Sequence, residues 1–200
     1  MSQQAELFPN LVNVNLGLPP GLSYRADFIS EAEERALLGH IADVPFEPFH
    51  FHGYTANRRT FAFGFRYNFS KRTPEVAPEI PDWLSDVRSR IARFAGRRPD
   101  EFRQALIIEY PEGPGIGWHI DKPEFEDVAG ISLASAAPMR FRKKDGEKWL
   151  RATKRLDRRS LYLMRGEVRN DWEHSISEIE ETRYSLTFRT LAPTFKPDAV

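Results

Sequence analysis

Residues 102–191 consist almost entirely of short runs with strand character, separated by turn-forming residues, and this leaves few folds open. Residues 102–110, 128–134, 159–164 and 184–191 each read as a strand, and 139–143 pairs with 148–151 across an Asp145-Gly146 turn. About eight such strands following two helices suggest a mainly β fold with supporting helices: a double-sheet jelly roll, or double-stranded β-helix. Ser30 and Glu33 make a capping box for the first helix, which runs to about Asp43 and turns Ile29, Leu37, Leu38 and Ile41 inward. The second spans 81–95 and sets Trp83, Leu84, Val87, Ile91 and Phe94 on one stripe, with Gly96 as terminator.

Between the helices, Phe61, Phe63, Phe65, Tyr67 and Phe69 alternate with small or polar residues, the period of one strand. Most belong to a core, and one or two near the strand end are available to stack on a flat substrate. Residues 1–25, rich in Pro, Asn and Gly, read as an arm over the domain. With no repeat or linker, the expectation is one domain over 1–200. In it, 1–100 supplies the arm, the helices and substrate-lid strands, and 101–192 supplies the core and the site.

The absence of cysteine excludes disulfides, zinc–thiolate sites and thiol nucleophiles. No apolar run approaches the roughly 18 residues of a membrane span, and the start lacks the pattern of a signal peptide. A cytoplasmic protein with no membrane contact and no obligate protein partner is expected. Zero net charge argues against a strongly basic nucleic-acid binder, yet residues 140–159 hold ten Lys or Arg against three Asp or Glu. Arg58, Arg59, Arg66, Lys71 and Arg72 form a second basic cluster. Phosphate contacts, or a solvated hairpin balanced by Glu178, Glu180 and Glu181, account equally for the first.

The chemistry-bearing residues are His119 and Asp121, two apart, and His174, 53 residues beyond Asp121. In an extended segment residues two apart point to one side, so His119 and Asp121 can converge on one ion, with His174 arriving from a distant strand. Two imidazoles and a carboxylate on one face of a metal leave three positions open, as in non-heme Fe(II) oxygenases. An isolated H-x-D pair is more often a hydrogen-bonded surface pair. Here Arg183 and Arg189 follow within fifteen residues of His174, suited to a dicarboxylate cosubstrate.

Four blocks carry a family resemblance: Tyr110-Pro-Glu-Gly-Pro-Gly-Ile-Gly-Trp-His119-Ile-Asp121, Ile131-Ser-Leu, Trp172-Glu-His174 and Arg183-Tyr-Ser-Leu-Thr-Phe-Arg189. They resemble the AlkB-like Fe(II)- and 2-oxoglutarate-dependent dioxygenases, through residues 105–191 and more weakly through 59–67. The resemblance implies Fe(II) held by His119, Asp121 and His174, with 2-oxoglutarate and O2 as cosubstrates. It implies that Arg183 forks the distal carboxylate, which Tyr110 also contacts, and that Ser185 and Arg189 line the same strand face toward the metal. Ser185 stands where the family has Asn, Ile108 where many members have Asn, and Pro123 where repair members carry an acidic residue that helps read the base.

The implied reaction is oxidative demethylation of an alkylated base in DNA or RNA, as in DNA repair, on an extruded or single-stranded nucleotide. Phe63, Phe65 or Tyr67 would clamp the base, and Arg59, Arg66, Arg142 and Lys143 would contact phosphates. Pro123 and the neutral charge also suit the same chemistry on a protein side chain or small molecule. A nucleic-acid-binding jelly roll without catalysis is the alternative outside enzymes.

Overall fold

The computed structural model describes residues 17–51, 54–68, 73–113 and 115–195. Its N-terminal part contains β1 (Leu22–Arg25), α1 (Glu31–Ala42), β2 (Glu47–Phe51), β3 (Tyr54–Phe63), β4 (Phe65–Asn68) and β5 (Thr73–Val76). A 3-10 turn at Asp82–Leu84 then leads into α2 (Ser85–Ala95). The remainder is mostly strand: β6 (Phe102–Tyr110), β7 (Ile116–His119), β8 (Phe125–Leu133), β9 (Ala137–Asp145), β10 (Lys148–Leu156) and β11 (Leu161–Met164). It closes with α3 (Glu167–Asn170), β12 (Glu173–Ile176) and β13 (Arg183–Leu191).

A seven-stranded sheet, ordered β1-β11-β8-β13-β6-β3-β2, faces a four-stranded sheet, ordered β10-β9-β12-β7. Every pairing in both is antiparallel. Two apolar layers result. Ile107, Ile131, Leu186 and Phe188 pack against Leu37, Ile41, Val87 and Ile91 of the helices. On the other side, Val128, Met164, Met139, Phe141 and Ile176 fill the space between the sheets. This is the expected jelly roll with helical support.

Both helices form where the capping chemistry placed them. The Ser30 amide donates to Glu33 Oε2 at 2.6 Å, and the Glu33 amide donates to Ser30 Oγ at 3.2 Å. Gly96 ends α2 in the left-handed conformation. One residue of α1 was not foreseen: Glu34 is fully buried, accepting from the Ala134 amide at 2.9 Å and from Arg158 Nε at 2.7 Å. A buried carboxylate is tolerated only when paired in this way, and the pair pins α1 to the end of β8.

Two expectations are corrected. Residues 22–25 do not belong to an overlying arm but form β1, the sheet edge paired to β11. The single aromatic strand is broken at Gly64 into β3, in the large sheet, and β4, in a separate hairpin with β5. At Gly64 φ is +78°, and a Cβ would stand 2.0 Å from the Arg103 carbonyl oxygen, so only glycine allows this crossing. The alternation therefore did not mark one face. Phe69, Lys71 and Arg72, and the arm up to residue 16, lie outside the described residues.

Candidate metal centre

β12 runs beside β7 so that His174 faces His119 and Ile176 faces Ile116. Between these pairs one residue of β12, Ser175, opposes two of β7, Gly117 and Trp118, a bulge that lets both His119 and Ile116 point between the sheets. The imidazole centroids lie 4.2 Å apart. Asp121 lies just past the end of β7, and one ligand atom from each of His119, Asp121 and His174 falls within 4.8 Å of the others.

The protonation states suit a cation. His119 Nδ1 lies 2.8 Å from the Gly117 carbonyl oxygen, which can only accept, so Nδ1 carries a hydrogen and Nε2 is the ring atom left to ligate a metal. Burial holds the His174 imidazole at about 3, against the opposing pull of Asp121, so it is neutral. Burial pushes the Asp121 carboxyl up, but Arg189, His174 and His119 outweigh it and hold the group at about 2. One carboxylate and two imidazoles form a donor set that fits Fe(II).

The inward face of β13 extends the site. Arg183 is 1% exposed, donates from Nε to Ser132 Oγ at 2.8 Å, and lies over the Tyr110 ring, 5.4 Å from its centroid. No carboxylate among the described residues pairs with it, and burial pushes its guanidinium below the usual range. A buried guanidinium without a counter-ion calls for an anion. Burial also raises the Tyr110 phenol, keeping its hydroxyl a donor. Ser185 Oγ and Thr187 Oγ1 share a hydrogen bond of 3.3 Å midway along the strand. At the metal end Arg189 Nη1 donates to Gln104 Oε1 at 2.9 Å, Nη2 lies 3.6 Å from Asp121 Oδ1, and buried Nε has no partner. One uncompensated guanidinium, and one orphaned donor beside the candidate ligands, fit a dicarboxylate with a carboxylate at each end.

The expected substrate contacts fare differently. Phe63 points to the helix side, edge-on to Trp83 at 6.2 Å, and is core rather than a base clamp. Phe65 lies beneath Arg103 in a cleft of about 380 Å³ shared with Val76, Ile80 and Arg88, which none of the candidate iron ligands lines. Arg59 also faces the helix side, in a two-point ion pair with Glu109 at 2.5 and 2.9 Å. Arg66 pairs with Glu75 at 3.1 Å, and Lys143 pairs with Glu167 and Asp171 at 3.1 and 3.2 Å. Arg142 donates to Glu173 at 2.6 Å between the rings of Trp118 and Trp149, on the outer face of the small sheet. Each cation assigned to phosphate thus already has a carboxylate. Tyr67 pairs with Pro74 through its backbone, and its side chain lies outside the described atoms.

Other residues reach the site unannounced. Arg58, not Arg59, is on the inward face of β3, its guanidinium 4.1 Å above the Phe49 ring. Arg169 is 3% exposed and donates to the Lys122 and Phe125 carbonyls, fixing the segment after Asp121. Gln104 accepts from Arg189 and donates from Nε2 to the Phe65 carbonyl at 2.6 Å, joining the β4–β5 hairpin to the metal end. The parity of β6 relative to Tyr110 was the one available signal for Gln104.

A family model of the 2OG-Fe(II) oxygenase superfamily matches residues 21–189. The tRNA (carboxymethyluridine(34)-5-O)-methyltransferase ALKBH8 of Mus musculus is 32% identical over 195 residues, covering 88% of this chain and 28% of that protein. The alkylated DNA repair protein ALKBH8 homolog of Arabidopsis thaliana is 29% identical over 191 residues, covering 84% of this chain and 53% of that protein. The chain therefore spans about half or less of these relatives. The structure of OsALKBH1 shares the fold, with a TM-score of 0.62 at 18% identity over 86% of this chain and 98% of that one. The chain belongs to the 2OG-Fe(II) oxygenase superfamily, among its AlkB-like members, which work with Fe(II), 2-oxoglutarate and O2.

Proposed function

We propose that this chain oxidatively demethylates an alkylated base in DNA or RNA, with His119, Asp121 and His174 as the iron ligands. The observation that carries the reading is the convergence of those three side chains at one end of a polar strip that ends in a buried, uncompensated Arg183. Fe(II) held by His119, Asp121 and His174 would, with 2-oxoglutarate and O2, supply hydroxylation of a C–H bond, with succinate and CO2 as co-products. A hydroxylated N-methyl group would then be lost as formaldehyde, the C–N bond breaking as the hydroxyl gives up its proton and the base nitrogen takes one.

The protein's part is placement. Gly117 orients the His119 ring, and Arg169 fixes the backbone that carries Asp121. Arg183 takes the distal carboxylate of the cosubstrate, with the Tyr110 hydroxyl beside it, and Arg189 serves the metal end. A base is the favoured substrate because one relative is named for alkylated-DNA repair and another for modification of a tRNA uridine. The carboxylate partners of Arg59, Arg66, Arg142 and Lys143 favour a second reading, in which the same chemistry acts on a small molecule or protein side chain.

Formaldehyde release from methylated single-stranded oligonucleotides, methylated nucleosides and methylated peptides separates the two. Turnover on oligonucleotides is expected. Turnover on peptides or small molecules alone would replace the nucleic-acid reading.

A further inference from the structure

The inward floor of the large sheet is organised in rows across its strands, because residues paired in an antiparallel ladder point to the same face. One row runs Tyr162 (β11), Gly130 (β8), Thr187 (β13) and Leu106 (β6). It lies between the row of Ser185 and the row of Arg189. Two features of this row are unusual. A Cβ on residue 130 would stand 2.4 Å from Cε1 and 2.5 Å from both Cζ and Oη of Tyr162, so the phenol lies flat over a glycine that leaves room for it. Tyr162 is only 7% exposed, yet its hydroxyl makes no hydrogen bond to any described residue. The hydroxyl is not among the fully enclosed polar atoms that lack a partner, so it keeps some access to solvent and is open to a ligand laid across Gly130. Burial, and the Asp121 carboxylate after it, raise the phenol, which therefore remains a donor.

The adjoining row explains what that hydroxyl supplies. Ile108 pairs with Ser185 there and offers no polar atom, although the site has to hold a cosubstrate between Arg183 and Arg189. We infer that Tyr162, cradled by Gly130, is a cosubstrate-binding residue that donates a hydrogen bond to 2-oxoglutarate from the β11 side. It contributes from one strand the polar contact that Ile108 cannot give from another. Gly130 is its positioning residue, since any side chain there would push the ring off the floor. This inference rests on the cosubstrate reading proposed above.

Tyr162→Phe removes the hydroxyl and keeps the ring, so the packing over Gly130 survives. Binding of 2-oxoglutarate to the Fe(II)-loaded protein is measured anaerobically by calorimetry, with Arg183→Lys as the reference variant. Tyr162→Phe is expected to weaken binding about tenfold, as a hydrogen bond to a charged acceptor should. Iron affinity without cosubstrate should stay unchanged, and in turnover the rise should appear in KM rather than kcat. Gly130→Ala should weaken binding in the same direction. Combined with Tyr162→Phe it should add less than its separate effect, because both act through one hydroxyl. Cosubstrate binding by Tyr162→Phe within twofold of wild type, while Arg183→Lys loses tenfold, overturns the role of Tyr162 and leaves the site reading standing. If neither variant changes binding, the cosubstrate reading falls with it.

Discussion

The two faces of β13 show how one strand serves stability and chemistry at once. Tyr184, Leu186 and Phe188 face the helices, where Leu186 and Phe188 are fully buried among aliphatic side chains. Arg183, Ser185, Thr187 and Arg189 alternate with them and face the interior between the sheets, equally buried but almost wholly polar. The first face makes its contacts from within the chain. The second leaves a guanidinium without a counter-ion and a donor without an acceptor. That difference separates a core from a binding site more sharply than burial does, because buried polar groups are ordinarily paired.

Substitution on the two faces should therefore fail in different ways. His119→Ala, Asp121→Ala and His174→Ala are each expected to abolish turnover while leaving thermal unfolding close to wild type. Phe188→Ala, on the other face, should cost about 3–5 kcal/mol of stability by leaving a cavity. Denaturant titration alongside succinate formation checks both, and a collapsed fold in the ligand variants would erase the distinction.

Within the polar face, Arg183→Lys should raise the KM for 2-oxoglutarate tenfold or more, roughly 1.4 kcal/mol, because an ammonium cannot fork a carboxylate. A larger effect from Arg189→Lys, with none from Arg183→Lys, would mean that the two arginines have exchanged roles.

Gln104 tests whether the metal end is coupled to the β4–β5 hairpin. Gln104→Glu keeps an acceptor for Arg189 but loses the donor to Phe65, whereas Gln104→Leu loses both. Faster amide exchange over residues 65–68 is expected in both variants. A several-fold rise in the KM for 2-oxoglutarate is expected only in Gln104→Leu. Equal KM values in the two would show that Gln104 does not position Arg189.

The last test of the polar interior is acid stability without metal. His174 is held at about 3 in the folded chain against its ordinary 6.5. As pH falls below 6.5, the unfolded chain gains a proton that the folded one refuses, and stability declines until about pH 3. Asp121, held at about 2 against 3.8, adds a loss below 3.8. Urea midpoints at pH 7, 5.5 and 4.5 should fall in that order, and His174→Gln should flatten the trend; equal slopes would contradict the burial argument.

The jelly roll, both helices with their caps, and the site strip on β13 were legible because each rests on local periodicity or spacing. The break at Gly64 was not. Alternation of Phe61, Phe63 and Phe65 continues through it, and only the Arg103 carbonyl, brought there by tertiary packing, reveals why a glycine is needed. The partners of Arg59 and Lys143 were hidden for a related reason: Glu109, Glu167 and Asp171 are distant in sequence, and ladder register or side-chain packing unites them. Tyr162 was missed because its meaning comes from a cross-strand row, which no single strand displays, and Gln104 because strand parity alone does not reveal its bond to Arg189.

The central claim is that His119, Asp121 and His174 jointly hold one iron ion. Anaerobic titration of Fe(II) into wild type and His174→Ala, at matched thermal stability, tests it most directly. The expected result is one tightly bound ion per chain in wild type, with affinity lost at least tenfold in the variant. Wild-type stoichiometry and affinity in His174→Ala would contradict it.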